Sequence, residues 1–592
     1  MMNTPKCLLD NIEKYPDKPA ISVLDEQNNW LTTNWEDYGD YVFAIAKSMI
    51  AYGISADDKI AIYSYNRKEW YAIYAATQMV NAVAVGVYHT CSSDEVEWIV
   101  DNSDSKIVFI GNNPGDNNEE SKMPVHRISP IINKLTNIEH VVLMEGIPNV
   151  ENDKILQWKD FISHGLEQNK EDILSKINNI KEDDVSSLIY TSGTTGNPKG
   201  VEIQYKNWNF EVSKLNERLP FHQGDKYVSW LPLAHVFGQL IDTHFCLQRA
   251  MHLYVVDNPL NVVDHSKNVQ PQLFIGVPRI YEKIYSNLKA AIDSKAVLKI
   301  GLKIPILNNV FKNILKKKTG FSETKYAGSG AAPINPDILK FFRSLDFPIY
   351  EGYGMTENAA VATINFQGNN SIGSVGKPIP GTEVKIADDG EILLKGDHVM
   401  RGYYKNESAT NETIIDGWLY TGDIGVLDAD GFLKITGRKK ELYISSGGKN
   451  IAPLVIEETM KSITIVSQCF LIGDKRNYCT ALFTLDVSVI LRDKIGLDAE
   501  SIPKDPIQQI AMLKNNGKEL SSFTESDEVR TEIQKEVDRL NMEFSNPEQL
   551  KNFAILPRDF TIDDGELTPT LKMRRKQINQ NWSEIIELMY DN

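Results

Sequence analysis

The sequence predicts an α/β protein. Its large N-terminal part is built from stacked, mostly parallel sheets with helices and ends in a small β subdomain; a smaller α+β part follows. Three observations predict this. Short apolar runs alternate with amphipathic helical patterns over the first ~430 residues, the pattern of parallel sheets covered on both faces. After about residue 375 the pattern changes to short glycine-bounded runs. GRKKELY, beginning at Gly437, then reads as a linker into a last region that carries a polar helical insertion around 500–546.

In chain order, Lys59–Ser64 (KIAIYS) reads as a buried strand, Glu69–Met79 as a helix and VAVGVYH from Val83 as the next strand. Lys106–Gly111 and His140–Met144 repeat the theme. Ligands of such folds sit beyond the carboxyl ends of the strands. GKPIPGTEVKI, GEILLKG and GFLKITG are the strands of the small subdomain, expected over 375–437. The expected division is 1–437, a hinge at 438–442, and 443–592.

At 592 residues the chain exceeds one hydrophobic core, and its 42% hydrophobic and 24% charged residues are ordinary for a globular protein. A net charge of −17 argues against general nucleic-acid binding, which needs basic surface, but leaves room for a locally positive nucleotide pocket. The five cysteines are scattered without metal spacing, which suits reduced thiols in the cytoplasm. The N-terminal stretch has charges and prolines where a signal peptide needs an apolar run, and no segment approaches 18 uninterrupted apolar residues.

Val185–Tyr190 is a plausible strand feeding into Thr191-Ser192-Gly193-Thr194-Thr195-Gly196, followed by Lys199. Hydroxyls and exposed backbone N–H groups in such a turn make an anion nest, and glycines let the backbone approach a phosphate. No G-x-x-x-x-G-K-[ST] loop occurs, so the hydrolase P-loop is excluded. By itself the stretch is equally a surface turn.

Five further segments accompany it in order: GSGAAP at 328–333, YEGYGMTE at 350–357, YTGD at 420–423, GRKK at 437–440 and LTPTLK at 567–572. Together the six resemble the motif set of the adenylate-forming superfamily, whose hallmark loop is [ST]SGTTGxPKG. Gly276–Lys283 (GVPRIYEK), residues 416–440, NRKEW at 66–70 and SNPEQLKNFAILPRDF resemble its long-chain acyl-CoA synthetase branch. Two departures stand out: Gly437, where many members carry Asp, and QYKN at 204–207, where many relatives have a histidine.

The resemblance implies ATP-dependent activation of a fatty acid to acyl-AMP, then transfer to coenzyme A, with Mg²⁺ as cofactor. It implies that Thr191, Ser192, Gly193, Thr194, Thr195 and Lys199 face the β,γ-phosphates. Gly330, Ala331, Ala332, Glu351, Gly352, Tyr353 and Gly354 would hold the adenine side. Thr356 would approach the α-phosphate and Glu357 would ligate magnesium. Asp423 and Arg438 would hold the ribose, and Lys572 would serve the adenylation transition state. Lys440 would be the hinge of a mobile C-terminal domain, with Gly447 and Gly448 on the coenzyme A side. His235, in LPLAHVF, is either a pocket residue near the acyl path or a core histidine. In isolation Lys572 would be one charge in a solvated run with Arg574, Arg575 and Lys576.

One feature lies outside the family pattern. Seven lysines and no acidic residue occupy 295–318, and Leu307, Val310, Phe311, Ile314 and Leu315 form an apolar helical stripe. The favoured reading is a core-packed helix with a solvated basic side; the other is a peripheral membrane contact at the cytosolic face. Two rival functions remain at this level: an enzyme that loads acyl groups onto a carrier protein, and a silent nucleotide- or fatty-acid-binding protein. Acyl chain length and oligomeric state are not set by the sequence.

Overall fold

Alternation of side chains along the strands decides how the layers stack. In Lys59–Ser64, Ile60 and Ile62 enter one core while Ala61 and Tyr63 enter another on the opposite face. Ser105–Gly111 repeats this, with Ile107 and Phe109 on the first side and Val108 and Ile110 on the second. A strand with both faces apolar belongs inside a sheet covered on both sides. The computed structural model describes residues 3–112, 123–146, 150–191, 197–256, 258–294, 301–302, 304–444, 450–568 and 572–590.

Two large sheets form the N-terminal body, one of eight strands and one of nine. In the eight-stranded sheet the central strands, Lys59–Ser64, Val83–Val87, Ser105–Gly111 and Val185–Thr191, pair in parallel. Lys199–Gln204 and Gly402–Tyr403 add antiparallel at one edge. The nine-stranded sheet carries parallel Lys226–Ser229, His252–Val255, Leu273–Gly276, Tyr326–Ser329 and Ile349–Tyr353. Its outer strands are antiparallel. The largest core lies between the two sheets, around Trp70, Tyr74, Trp208 and Phe245.

The region expected as one β subdomain is divided. Glu383–Ile386, Glu391–Lys395, Trp418–Leu427 and Leu433–Arg438 belong to a separate five-stranded sheet with its own small core. Two strands from the same stretch return to the body: Lys377–Pro378 joins the nine-stranded sheet, and Gly402–Tyr403 the eight-stranded one. The C-terminal layer has a three-stranded sheet of Val466–Ile472, Cys479–Leu485 and Leu550–Ile555. Cys469, Leu471 and Phe483 face one cluster, and Phe470, Ile472 and Leu482 face the other. The polar insertion supplies the helices Pro506–Asn515 and Asp527–Asn541, the second of which buries Val529, Ile533 and Val537.

The basic helix, Pro305–Thr319, corrects the favoured sequence reading. Only Leu315 of its stripe is buried, whereas Leu307, Val310 and Ile314 are 41%, 53% and 41% exposed. Its end is fixed by Gly320 at φ +89, where an added Cβ would meet the Ser266 backbone at 2.4 Å. Among the described residues no helix is long and apolar enough to cross a membrane.

Candidate active site

The site forms where the carboxyl ends of strands from both large sheets meet the small sheet and the C-terminal layer. One continuous cleft of about 4310 Å³ runs through this junction. It is lined by Thr191, Lys199, His235, Gly330, Ala331, Ala332, Glu351, Gly352, Tyr353, Gly354, Thr356, Glu357, Asp423, Arg438, Lys440 and Lys572. Ser192, Gly193, Thr194, Thr195, Gly447 and Gly448 lie outside the described residues.

The phosphate-loop sequence connects two antiparallel strands, so Thr191 and Lys199 are direct cross-strand partners. Tyr190 anchors the incoming strand, its hydroxyl donating to Asn102 Oδ1 at 2.7 Å. Lys199 Nζ stands 4.3 Å from the ring centroid of Tyr403. The Tyr403 hydroxyl in turn donates to Glu357 Oε1 at 2.8 Å. Glu357 is buried in a single turn, Thr356–Asn358, directly after the strand Ile349–Tyr353. Gly354 is required here, because a Cβ would stand 2.0 Å from the Ala360 carbonyl oxygen. Ala331 and Ala360, at φ +70 and +102, hold conformations that L-residues rarely adopt.

Asp423 and Arg438 face each other across the antiparallel strands Trp418–Leu427 and Leu433–Arg438. Arg438 Nε donates to Asp423 Oδ1, and the Tyr353 hydroxyl donates to Oδ2, both at 2.8 Å. Asp423 holds the guanidinium pKa above its ordinary value. Glu391 supports the turn by accepting from Gly422 N–H at 2.8 Å, and it also pairs with Lys439. Burial pushes the Glu351 carboxyl up to about 7, against a hydrogen bond from Ile334 N–H.

Lys572 reaches the cleft from the C-terminal layer. Its side chain is exposed in the open cleft, where the surrounding protein removes part of its solvation. This desolvation lowers its ammonium pKa; Arg438 lowers it further, while Asp423, Glu357 and Glu441 oppose the shift. His235 is close enough to feel that charge. Burial first, then Lys572, push its imidazole down to about 3, so it is neutral. Phe237 N–H donates to His235 Nδ1 at 3.2 Å, which leaves the ring proton on Nε2. His235 therefore faces the cleft and is not a sealed core residue, and its low pKa makes it a weak base.

The solvated-run reading of Arg574 and Arg575 is also corrected. Arg574 pairs with Glu95 at 3.3 Å, and Arg575 pairs with fully buried Glu457 at 2.5 Å. Between body and C-terminal layer, Arg279 donates to Ser467 Oγ at 2.9 Å, Arg492 to Ser286 Oγ at 2.9 Å, and Lys504 pairs with Asp264. Lys440 lies in the one-turn helix Lys439–Glu441 that joins the two parts. Gly437 has a packing reason: a Cβ would stand 3.2 Å from that of Ala452. At the other departure, Asn207 Nδ2 donates to the Asp397 and Val399 carbonyls, a buried structural role.

Sequence reasoning missed Tyr403, Glu391, Asn66 and Ser329. Asn66 lies in the noted NRKEW stretch; its amide donates to Leu231 O and accepts from Leu233 N–H, so it clamps the segment leading to His235. Ser329 is buried at a strand end, and its hydroxyl has no partner among the described residues. The same cleft is also lined by the apolar side chains of Leu215, Leu219, Trp230, Ile241, Ile284 and Leu288.

The AMP-binding enzyme family model matches residues 8–404. The chain is 29% identical over 591 residues to the long-chain-fatty-acid–CoA ligase FadD15 of Mycobacterium bovis, covering 95% of this chain and 93% of that one. It is 28% identical to the human long-chain-fatty-acid–CoA ligase ACSBG2, covering 100% and 92%. Among solved structures it resembles the anthranilate CoA ligase AuaEII in complex with anthranoyl-AMP, with TM-score 0.74 and 18% identity over 99% of this chain and 98% of that one. With the family model matching about two thirds of its length, the chain belongs to the AMP-binding enzyme family.

Proposed function

We propose that the protein activates a long-chain fatty acid with ATP to give acyl-AMP and pyrophosphate, then transfers the acyl group to coenzyme A with release of AMP. The observation that carries this reading is the convergence of Lys572, His235, Glu357 and the Asp423–Arg438 pair on one cleft that is also lined by apolar side chains. The relatives named as long-chain-fatty-acid–CoA ligases support the substrate class.

In the first step a carboxylate oxygen attacks the α-phosphorus, and the bond from that phosphorus to the β-phosphate bridging oxygen breaks. Negative charge moves onto the departing pyrophosphate and stays spread over the α-phosphate oxygens. Catalysis of such a step is mainly positioning and charge stabilisation. Lys572 supplies a cation to those oxygens, Thr356 a hydroxyl, and Lys199 with the 191–195 loop takes the leaving pyrophosphate. Asp423 accepts the ribose hydroxyls; its oxygens each have a lone pair to spare beyond Tyr353 and Arg438. Gly330–Ala332, Ser329 and Glu351–Gly354 bound the adenine side. Neutral His235 donates Nε2–H toward the acid, orienting it without taking a proton.

Among the described residues no group of three metal-ligating side chains stands together. Mg²⁺ commonly binds through one or two carboxylates plus substrate phosphates. Glu357 is the carboxylate that would hold it, and the ion would neutralise phosphate charge. In the second step the coenzyme A thiolate attacks the acyl carbon and AMP leaves. Rotation of the C-terminal layer about Lys440 would withdraw Lys572 and bring the segment containing Gly447 and Gly448 to the thiol path.

An acid panel from acetate to long-chain fatty acids, scored by AMP release with and without coenzyme A, tests the reading. The expected result is coenzyme A-dependent turnover that rises with chain length. Release only with a phosphopantetheinyl carrier protein, or none with any acid, would reject it.

A further inference from the structure

The helix Pro305–Thr319 presents outward a surface that the proposed reaction does not use. Ile304, Leu307, Val310 and Ile314 fall on one side of it, each between 39% and 53% exposed. From Ile304 to Thr319 there is no acidic residue. Lys312 is engaged by Asp346 at 3.0 Å, but Lys316, Lys317 and Lys318 form no ion pair among the described residues. All three sit in the last helical turn; Lys317 and Lys318 fall beside the apolar stripe, whereas Lys316 projects from the opposite side. In a chain of net charge −17, this is a local reversal of sign.

The stripe is held firmly from behind. Leu315 is buried, Gln270 Nε2 donates to Lys317 O at 3.1 Å, and Asn308 Nδ2 donates to Leu302 O at 2.8 Å. The helix also borders the cleft. Leu315, Lys317 and Lys318 are among its lining residues, as is Leu260, itself 38% exposed. An apolar stripe with lysines at its edge and no acidic neighbour in its own sequence matches the boundary between acyl chains and anionic headgroups.

We propose that this helix docks the protein on an anionic lipid surface. Leu307, Val310 and Ile314 enter the outer acyl layer, and Lys317 and Lys318 lie against the headgroup phosphates. The cleft rim is thereby held at the bilayer. Docking stands on the surface itself; that it delivers fatty acid to the cleft rests on the proposed ligase function.

Flotation of the full chain with vesicles tests it, comparing pure phosphatidylcholine with equal parts phosphatidylcholine and phosphatidylglycerol. The protein is expected to float with the anionic vesicles and to lose about tenfold in affinity on the neutral ones and at high salt. A Leu307→Ser/Val310→Ser/Ile314→Ser variant and a Lys317→Gln/Lys318→Gln variant should each lose about tenfold on anionic vesicles. The first changes exposed positions only, so its melting temperature and its acid-dependent ATP–pyrophosphate exchange in vesicle-free buffer should match the parent. Equal binding to both vesicle types, no binding to either, or undiminished binding by both variants would overturn the proposal. Vesicle binding without any acid-dependent exchange would instead reject the ligase function and leave the docking surface standing.

Discussion

The two sides of the cleft are built differently. On the body side the polar groups are buried and brace one another: Tyr353 holds Asp423, Tyr403 holds Glu357, and Glu391 holds the Gly422 turn. On the other side Lys572 arrives on a layer with its own two cores, joined to the body through polar contacts such as Arg279–Ser467, Lys461–Glu282 and Arg574–Glu95. A partly exposed pair such as Arg574–Glu95 contributes about 0–1 kcal/mol, whereas Lys461–Glu282 is largely buried. Body-side groups cannot change partners without opening a core, whereas the C-terminal layer meets the body through polar contacts and keeps its own cores when these are broken. The difference suits a site in which the nucleotide pocket stays fixed while the lysine is exchanged for another surface.

The largest expected effects test whether the two parts are separate. Phe245→Ala, in the body core, and Phe483→Ala, in the C-terminal core, each remove a fully buried ring. Each should cost about 3–5 kcal/mol. In urea, followed by probes placed in each part, Phe245→Ala should lower only the body transition and Phe483→Ala only the C-terminal one. A single transition shifted equally by both would show that the halves unfold as one unit and weaken the contrast.

Next come the groups on the fixed side. Asp423→Ala removes the partner of both Arg438 and Tyr353. It should weaken ATP and acyl-AMP binding alike by about 10–100-fold, about 1.4–2.7 kcal/mol, because hydrogen bonds to a charged group contribute about 1.5–3 kcal/mol. Isothermal titration with ATP, and thioester formation from supplied acyl-AMP, measure the two. Loss confined to one of them would place Asp423 outside a shared pocket.

The pH profile sharpens the contrast from the lysine side. Desolvation in the cleft lowers the Lys572 pKa, so its ammonium is lost at lower pH than that of an ordinary lysine. The alkaline limb of kcat/KM for acid-dependent ATP–pyrophosphate exchange should therefore fall below 10.5, the ordinary lysine value. In Lys572→Arg the guanidinium stays charged, so that limb should move to higher pH even if the rate drops. An unmoved limb would assign it to another group.

The smallest effect belongs to the junction. Lys504→Ala, which removes a contact with Asp264, should change kcat about two- to fivefold while leaving the melting temperature within about 1 °C. A drop of many degrees would mean that the junction carries stability and is not readily released.

How far the sequence reveals this arrangement follows from the range of each signal. Lys59–Ser64 and Ser105–Gly111 are legible because six or seven residues suffice to show burial on both faces. Lys377–Pro378 and Gly402–Tyr403 are two residues each, too short to carry a period, so their return to the large sheets is invisible. Periodicity showed the stripe of Pro305–Thr319 but not what it faces, since an amphipathic pattern is the same whether core or another surface covers it. Arg575 resembles its solvated neighbours because its buried partner Glu457 is 118 residues away. Tyr403 was missed for the same reason, 46 residues from Glu357. Motifs mark groups that would touch substrate; groups that hold those in place lie far off in sequence.

The central claim is that Lys572 acts in adenylation only and is absent from the thioester step. Lys572→Ala, assayed separately in acid-dependent ATP–pyrophosphate exchange and in thioester formation from supplied acyl-AMP and coenzyme A, tests it most directly. The account predicts a fall of about 10²–10³-fold in exchange and a change of less than about threefold in thioester formation. Equal losses in both half-reactions, or unchanged exchange, would contradict it.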